Sequence, residues 1–147
     1  MNISVFGLGY VGVVSCACFS RDKHKVTGVD VDRTKVDLIN SGKATIIEKG
    51  LEEEIQQSVN LGLLKSTQDY KEAVLNSEVS FICVGTPSLP NGAINLAYIY
   101  GVVKQIAEVL MNIILWLLEV LLKLALLKRV KKSLRIFQAK NTMLILV

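Results

Sequence analysis

The chain reads as an α/β fold, a doubly wound parallel sheet, followed by a tail with a different grammar. Three observations carry this. Short apolar runs with β-branched members alternate with stretches of helical character over the first 110 residues. The first run leads directly into Gly7-Leu8-Gly9-Tyr10-Val11-Gly12. From Met111 onward, 37 residues contain no Gly or Pro and 11 leucines, so nothing punctuates them.

The elements follow in order. Residues 2–6 are a short apolar run of the kind that forms a buried parallel strand. A helix is expected over 11–20, then a polar turn holding the chain's single histidine, His24, which reads as a solvated turn residue. Strand 26–29 ends at Asp30, and helix 33–40 is stopped by Gly42. A third helix is expected over 50–60, its acidic residues Glu52, Glu53 and Glu54 suiting the positive end of the helix dipole. A short strand at 63–66, a helix at 69–75 and a buried strand at 79–84 come next, broken by Gly85-Thr86-Pro87. Asn91-Gly92 is a turn, and a further helix starts near Asn95.

The glycines divide the work of a phosphate-binding turn. Gly7 permits the tight turn, Gly9 lets backbone approach a phosphate with no Cβ in the way, and Gly12 lets the helix pack close to the sheet. The helix that begins at Tyr10 and Val11 would turn its free N–H groups toward the anion. An acid 18 positions beyond Gly12, Asp30, closes the second strand, where a carboxylate can bind ribose hydroxyls. Strand, turn, helix and acid agree on a Rossmann-like dinucleotide site.

Charge and cysteines separate the two regions and exclude several functions. Residues 1–110 hold 10 Lys/Arg and 12 Asp/Glu, whereas 111–147 hold 7 and 1. Cys16 and Cys18, two apart on a helix, fall on opposite sides and cannot converge on a metal. Cys83 sits in an apolar strand as a small hydrophobe. A reduced, cytoplasmic protein with no metal site and no leader segment is expected. The basic tail has only Trp116 and Phe137 as aromatics, which does not make a nucleic-acid module.

Four motifs carry a wider pattern: Val5-Phe6-Gly7-Leu8-Gly9-Tyr10-Val11-Gly12, Gly28-Val29-Asp30-Val31, Lys35-Val36-Asp37-Leu38-Ile39-Asn40, and Val79-Ser80-Phe81-Ile82-Cys83-Val84-Gly85-Thr86-Pro87-Ser88. Together they resemble the amino-terminal NAD-binding part of the UDP-glucose/GDP-mannose dehydrogenases, with wording closest to the GDP-mannose members. The resemblance covers residues 1–110 and implies a partial Rossmann-like domain, with 111–147 as a helical tail foreign to the family. It implies NAD as cofactor and a four-electron oxidation of a sugar C6 alcohol to the carboxylate, using two NAD. Carried over by position, Gly7, Gly9, Tyr10, Val11 and Gly12 lie at the pyrophosphate turn. Asp30 binds the adenosine ribose, Lys35 reaches the same end, and Thr86 touches the cofactor from the end of the fourth strand.

The resemblance also implies what this chain would not supply. The family's nucleophilic cysteine, its other catalytic groups and its nucleotide-sugar domain would lie downstream. No residue here is therefore expected to be catalytic, and the family's homodimer contact would not be retained. Two departures touch the loops: Glu48-Lys49-Gly50-Leu51-Glu52 stands where the family reads Glu-Pro-Gly-Leu-Glu, and Asn95 where it has Asp.

The tail admits three readings: a partner-binding helix, a membrane helix, or sequence never selected to fold. Family members would continue with a strand ending in Val-Arg-Ser-Thr-Val, a Pro-Gly-Thr-Thr turn and Ser-Gly-Lys. Back-translating 111–147 with freely chosen codons and reading from the third nucleotide permits Val-Arg-Ser-Thr-Val, Gly-Thr-Thr and Ser-Gly-Lys, in that order. A frameshift shortly before Met111 is the simplest account. It predicts that the fifth strand is missing and that the fourth strand is an exposed edge. The rivals are a stand-alone NAD-binding module and, more strongly, a membrane-attached NAD-binding protein using residues 106–127. Residues 113–127 hold 11 Leu/Ile/Val, worth roughly −3 to −6 kcal/mol of insertion, against about 2.5–3.5 kcal/mol each for Glu119 and Lys123, a sum near zero.

Overall fold

A computed structural model describes the backbone of residues 1–127 and 143–146, and the side chains of residues 1–118. The chain runs β1 (Asn2–Phe6), α1 (Tyr10–Arg21), β2 (Lys25–Val29), α2 (Arg33–Asn40), α3 (Leu51–Asn60) and β3 (Leu64–Thr67). It continues through α4 (Tyr70–Leu75), β4 (Val79–Ile82), α5 (Ala97–Leu127) and β5 (Met143–Leu146). The strands form one sheet in the order β3-β2-β1-β4-β5, every pair parallel. Parallel neighbours need crossovers, and the helices that supply them cover both faces.

The period-2 geometry of a strand splits β1 between two cores. Ile3 and Val5 face one side, packing with Val13, Cys16 and Ala17 of α1, Ile39, and Leu51 and Ile55 of α3. Phe6 faces the other side, with Ala73 and Val74 of α4 and Ile106 and Val109 of α5. Phe19 and Phe81 meet at 4.7 Å between ring centres on the first side. Hydroxyls take some buried positions: Ser4 Oγ lies 2.8 Å from Ser80 Oγ and 3.0 Å from Ser77 Oγ, so each has a partner. Among the described residues no buried side-chain N or O lacks one.

Local signals set most boundaries. Asp32 caps α2 by accepting from Thr34 N–H at 2.9 Å, and Asp69 caps α4 through Lys71 and Glu72. Asn95 accepts from Ala97 N–H at 2.9 Å, so the residue that departs from the family pattern still opens α5. Gly50, at φ +81°, turns the chain into α3 without the rigid residue the family places before it. The fourth strand is shorter than its apolar run suggests. β4 ends at Ile82 because its neighbour β1 ends at Phe6, although Cys83 N–H still donates to Phe6 C=O at 2.8 Å.

α5 runs unbroken across Met111, 31 residues in all, having no Gly or Pro after Gly101 to stop it, so the tail begins as the helix expected of it. One expectation about the tail is corrected: the position beside β4 is not empty. Met143–Leu146 pairs with Val79–Ile82 in parallel register, because an open strand edge accepts any short apolar β-former that can reach it. The remaining tail residues, 128–142 and 147, lie outside the described residues.

Candidate functional site

The site is built where β1, β2 and β4 end. β1 has β2 on one side and β4 on the other, so the connections leave in opposite directions and open a crevice at the carboxyl edge. The crevice, of about 380 Å³, is floored by Phe6, Gly7, Gly9, Val29 and Cys83 and walled by Val84 and Gly85. Asp30, Val31 and Lys35 close it on the β2 side, and Tyr98, Gly101, Val102 and Gln105 of α5 face them.

The glycine turn is dictated by steric contacts. Gly7, at φ +95°, donates its N–H to Val29 C=O at 2.7 Å; a Cβ there would stand 2.8 Å from Cys83 O. A Cβ on Gly12 would stand 1.7 Å from Gly7 O, so no side chain fits at that helix position. Around Gly9 nothing lies within 4 Å of where a Cβ would be, which leaves backbone open to an incoming group. The first bond of α1 is donated by Val13 to Gly9 C=O at 2.9 Å. The N–H groups of Gly9, Tyr10, Val11 and Gly12 are thus the unpaired donors of a helix amino terminus, a cradle for an anion.

Asp30 holds the other end. Its carboxylate is 9% exposed and accepts from Leu8 N–H at 2.7 Å, Asp32 N–H at 2.9 Å and Lys35 Nζ at 3.3 Å. Burial pushes its pKa up, but the two backbone N–H donors and the Lys35 ammonium outweigh that and hold it below the ordinary carboxylate value. An ionised carboxylate offers about four acceptor positions and three are in use. One is free, and the Lys35 contact is the longest and most easily exchanged.

Of the residues singled out from sequence, Gly7, Gly9, Asp30 and Lys35 converge on the crevice. Tyr10 and Val11 begin α1 with exposed side chains, contributing backbone rather than side-chain groups. Gly12 packs on the turn. Thr86 is exposed one residue beyond Gly85 and does not line the crevice. Residues that sequence reasoning missed are those of the α5 wall, Tyr98 and Gln105 among them, together with Val31 and Thr45. Thr45 Oγ1 donates to Leu8 C=O at 3.1 Å.

Cys16 and Cys83 are buried and burial raises both thiols, with the Ser15 hydrogen bond lowering Cys83 only partly. Among the described residues no cluster of His, Cys, Asp and Glu could hold a metal ion.

A parallel sheet, a glycine turn into a helix and a buried carboxylate at the switch point are the build of a dinucleotide-binding domain. Residues 1–118 match the model of the UDP-glucose/GDP-mannose dehydrogenase family, NAD binding domain, and the chain belongs to that family. GDP-mannose 6-dehydrogenase of Pseudomonas aeruginosa is 57% identical over 106 residues, 72% of this chain and 24% of that protein. UDP-glucose 6-dehydrogenase of Rhizobium meliloti is 42% identical over 108 residues, 73% of this chain and 25% of that protein. The crystal structure of a ternary complex of the Pseudomonas aeruginosa GDP-mannose dehydrogenase superposes with a TM-score of 0.73 and 55% identity, covering 74% of this chain and 25% of that one. The chain thus spans about a quarter of the length of the curated relatives it matches. It is the amino-terminal NAD-binding domain of this family, and the free amides, the space at Gly9 and the ionised Asp30 fit NAD.

Proposed function

We propose that this domain holds NAD for a nucleotide-sugar 6-dehydrogenase whose substrate is GDP-mannose, oxidised to GDP-mannuronate at the expense of two NAD. The greater identity to the GDP-mannose enzyme supports that sugar over UDP-glucose, which would give UDP-glucuronate. When bound, the nicotinamide accepts the hydride; this chain's residues bind and orient. The amides of Gly9, Tyr10, Val11 and Gly12 hold the pyrophosphate. Asp30 accepts from the adenosine ribose hydroxyls and repels a 2′-phosphate, while Lys35 balances its charge. Thr86, in the exposed segment that follows β4, would touch the cofactor from outside the crevice.

The observation that carries this is Asp30, buried, ionised and hydrogen-bonded to the glycine turn itself. On this reading residues 1–118 bind cofactor and supply no catalytic group, which the burial of Cys16 and Cys83 supports by pushing both thiols up, away from the reactive thiolate. Residues 1–147 should therefore bind NAD by calorimetry, prefer it to NADP, and form no NADH with GDP-mannose. A chain that binds neither dinucleotide sinks the site reading, and measurable NADH sinks the division of labour.

For the tail, the same reasoning favours an out-of-frame segment over a membrane span. Residues 119–147 fall outside the family match, and from Met111 the described apolar side chains are largely exposed. The helix is long and apolar enough over Ala97–Leu118 to cross a bilayer by length and composition. A crossing that starts at Ile106, however, would pull the buried Ile106 and Val109 out of the core and carry Met143–Leu146 away from β4. The coding DNA decides the matter: the alternative frame must encode Arg-Ser-Thr-Val after codon 111. Resistance of the expressed chain to carbonate extraction would restore the membrane reading.

A further inference from the structure

We propose that Thr45, in the segment between α2 and α3, is the positioning residue that aims the Gly9 N–H at the cofactor's pyrophosphate; this rests on the reading of the crevice as the NAD site. The Leu8 carbonyl and the Gly9 N–H belong to one planar trans peptide and point in opposite directions. Whatever grips the carbonyl therefore aims the N–H. Thr45 Oγ1 donates to that carbonyl at 3.1 Å, and Thr45 is not among the residues lining the crevice.

The rest of Leu8 is already fixed. Its N–H donates to Asp30 at 2.7 Å, and its side chain is fully buried in the notch left by Gly28, where a Cβ would stand 2.7 Å from Leu8 Cδ2. The peptide on its other side is not fixed in this way. Gly9 has the backbone freedom of glycine and no protein atom within 4 Å of its would-be Cβ, so without Thr45 the Leu8–Gly9 plane can swing.

The segment that delivers Thr45 is itself held. Gly42, at φ +77°, ends α2 and reverses the chain, with Lys43 N–H donating to Leu38 C=O at 2.9 Å. Ala44 and Ile46, on either side of Thr45, pack against the core under α1. Tyr10 Oη donates to Glu48 Oε2 at 2.8 Å and ties the same segment to the first residue of α1. Thr45 lies between these anchors with its hydroxyl on the turn.

The test compares ADP with adenosine, which share the base and ribose but differ in the pyrophosphate, on the full 147-residue chain. Thr45→Val keeps the shape and removes the donor. It should weaken ADP binding about 5- to 20-fold, the cost of one misdirected hydrogen bond to an anion, and leave adenosine within about twofold. Thr45→Ser, which restores the hydroxyl, should recover ADP affinity. Equal losses for both ligands, or no loss for either, would overturn the proposal. If Thr45→Val does not fold, the wild-type chain still answers: the Gly9 amide resonance must shift on addition of ADP and not of adenosine, and an unmoved Gly9 resonance overturns the assignment. A wild-type chain that binds neither NAD nor ADP would instead fail the NAD reading itself.

Discussion

The inner and outer parts of α5 are one helix in geometry and two in chemistry. Up to Leu110 most described positions have an evident role: Ile106 and Val109 are buried against the sheet, Lys104 and Glu108 face water, and Tyr98, Gly101 and Gln105 line the crevice, with Tyr100 the exposed exception. From Met111 the face that should be polar is apolar instead. Met111, Leu115, Trp116 and Leu118 are each more than half exposed. Backbone hydrogen bonding and leucine's helix propensity continue the helix, while among the described residues beyond Met111 Ile113 packs against the core and the four side chains just named stay exposed. Helix formation thus says little about selection, whereas the match between a side chain's polarity and its surroundings says much.

The sharpest way to break the comparison is a change where the first region tolerates nothing. Gly12→Val sets a side chain against the Gly7 carbonyl, a backbone atom that cannot yield while the turn exists. A loss of more than about 4 kcal/mol and of all NAD binding is expected, read by urea unfolding and calorimetry. A folded, NAD-binding variant would mean that the turn is not built as described.

Next comes a matched pair on α5 itself. Ile106→Ala empties a site 3% exposed and should cost about 3 kcal/mol. Leu115→Ala acts on a side chain 58% exposed and should change stability by less than about 0.5 kcal/mol. Equal costs in urea unfolding would show that the outer part is packed against something, and would end the claim that it is unselected.

Much of this was legible from sequence because it was local. The α2 boundaries follow from Asp32 and Gly42, which act within a few residues of the helix they limit. Lys35 was singled out only through the family resemblance, whereas Gly7, Gly9 and Asp30 could be read because spacing brings a turn and a strand end together. Thr45 and Gln105 could not, since their roles depend on how a loop and a distant helix fold over the sheet's edge. Met143–Leu146 was missed for the opposite reason. The pattern there is a bare apolar run, and only the vacancy beside β4 makes a strand of it.

A smaller effect tests the crevice wall. Gly101 lies inside α5, and a Cβ there would meet nothing within 4 Å. Gly101→Ala should therefore stabilise the chain by about 1 kcal/mol, the helix-propensity difference. A loss of stability would show that the inner part of α5 packs more closely than described, and the contrast with the outer part would sharpen.

The smallest expected effect concerns Lys35 and carries a sign. Asp30 has its folded pKa depressed, so the stability it contributes is present above its unfolded value, about 3.9, and disappears as pH falls through the lower folded value. Lys35→Met removes one cause of that depression while leaving the Leu8 and Asp32 donors in place. The pair is 3.3 Å apart with the lysine side chain 37% exposed, so solvent screening limits the change to about 0.5 kcal/mol at neutral pH. The acid limb of a stability–pH profile should shift upward in the variant, and the neutral and variant curves should converge once the carboxyl is protonated. If Lys35 matters only through Asp30, adding 0.5 M salt should shrink the Lys35→Met effect. An effect that salt and acid both leave unchanged would place Lys35's contribution in its apolar stem against Val31 rather than in its charge.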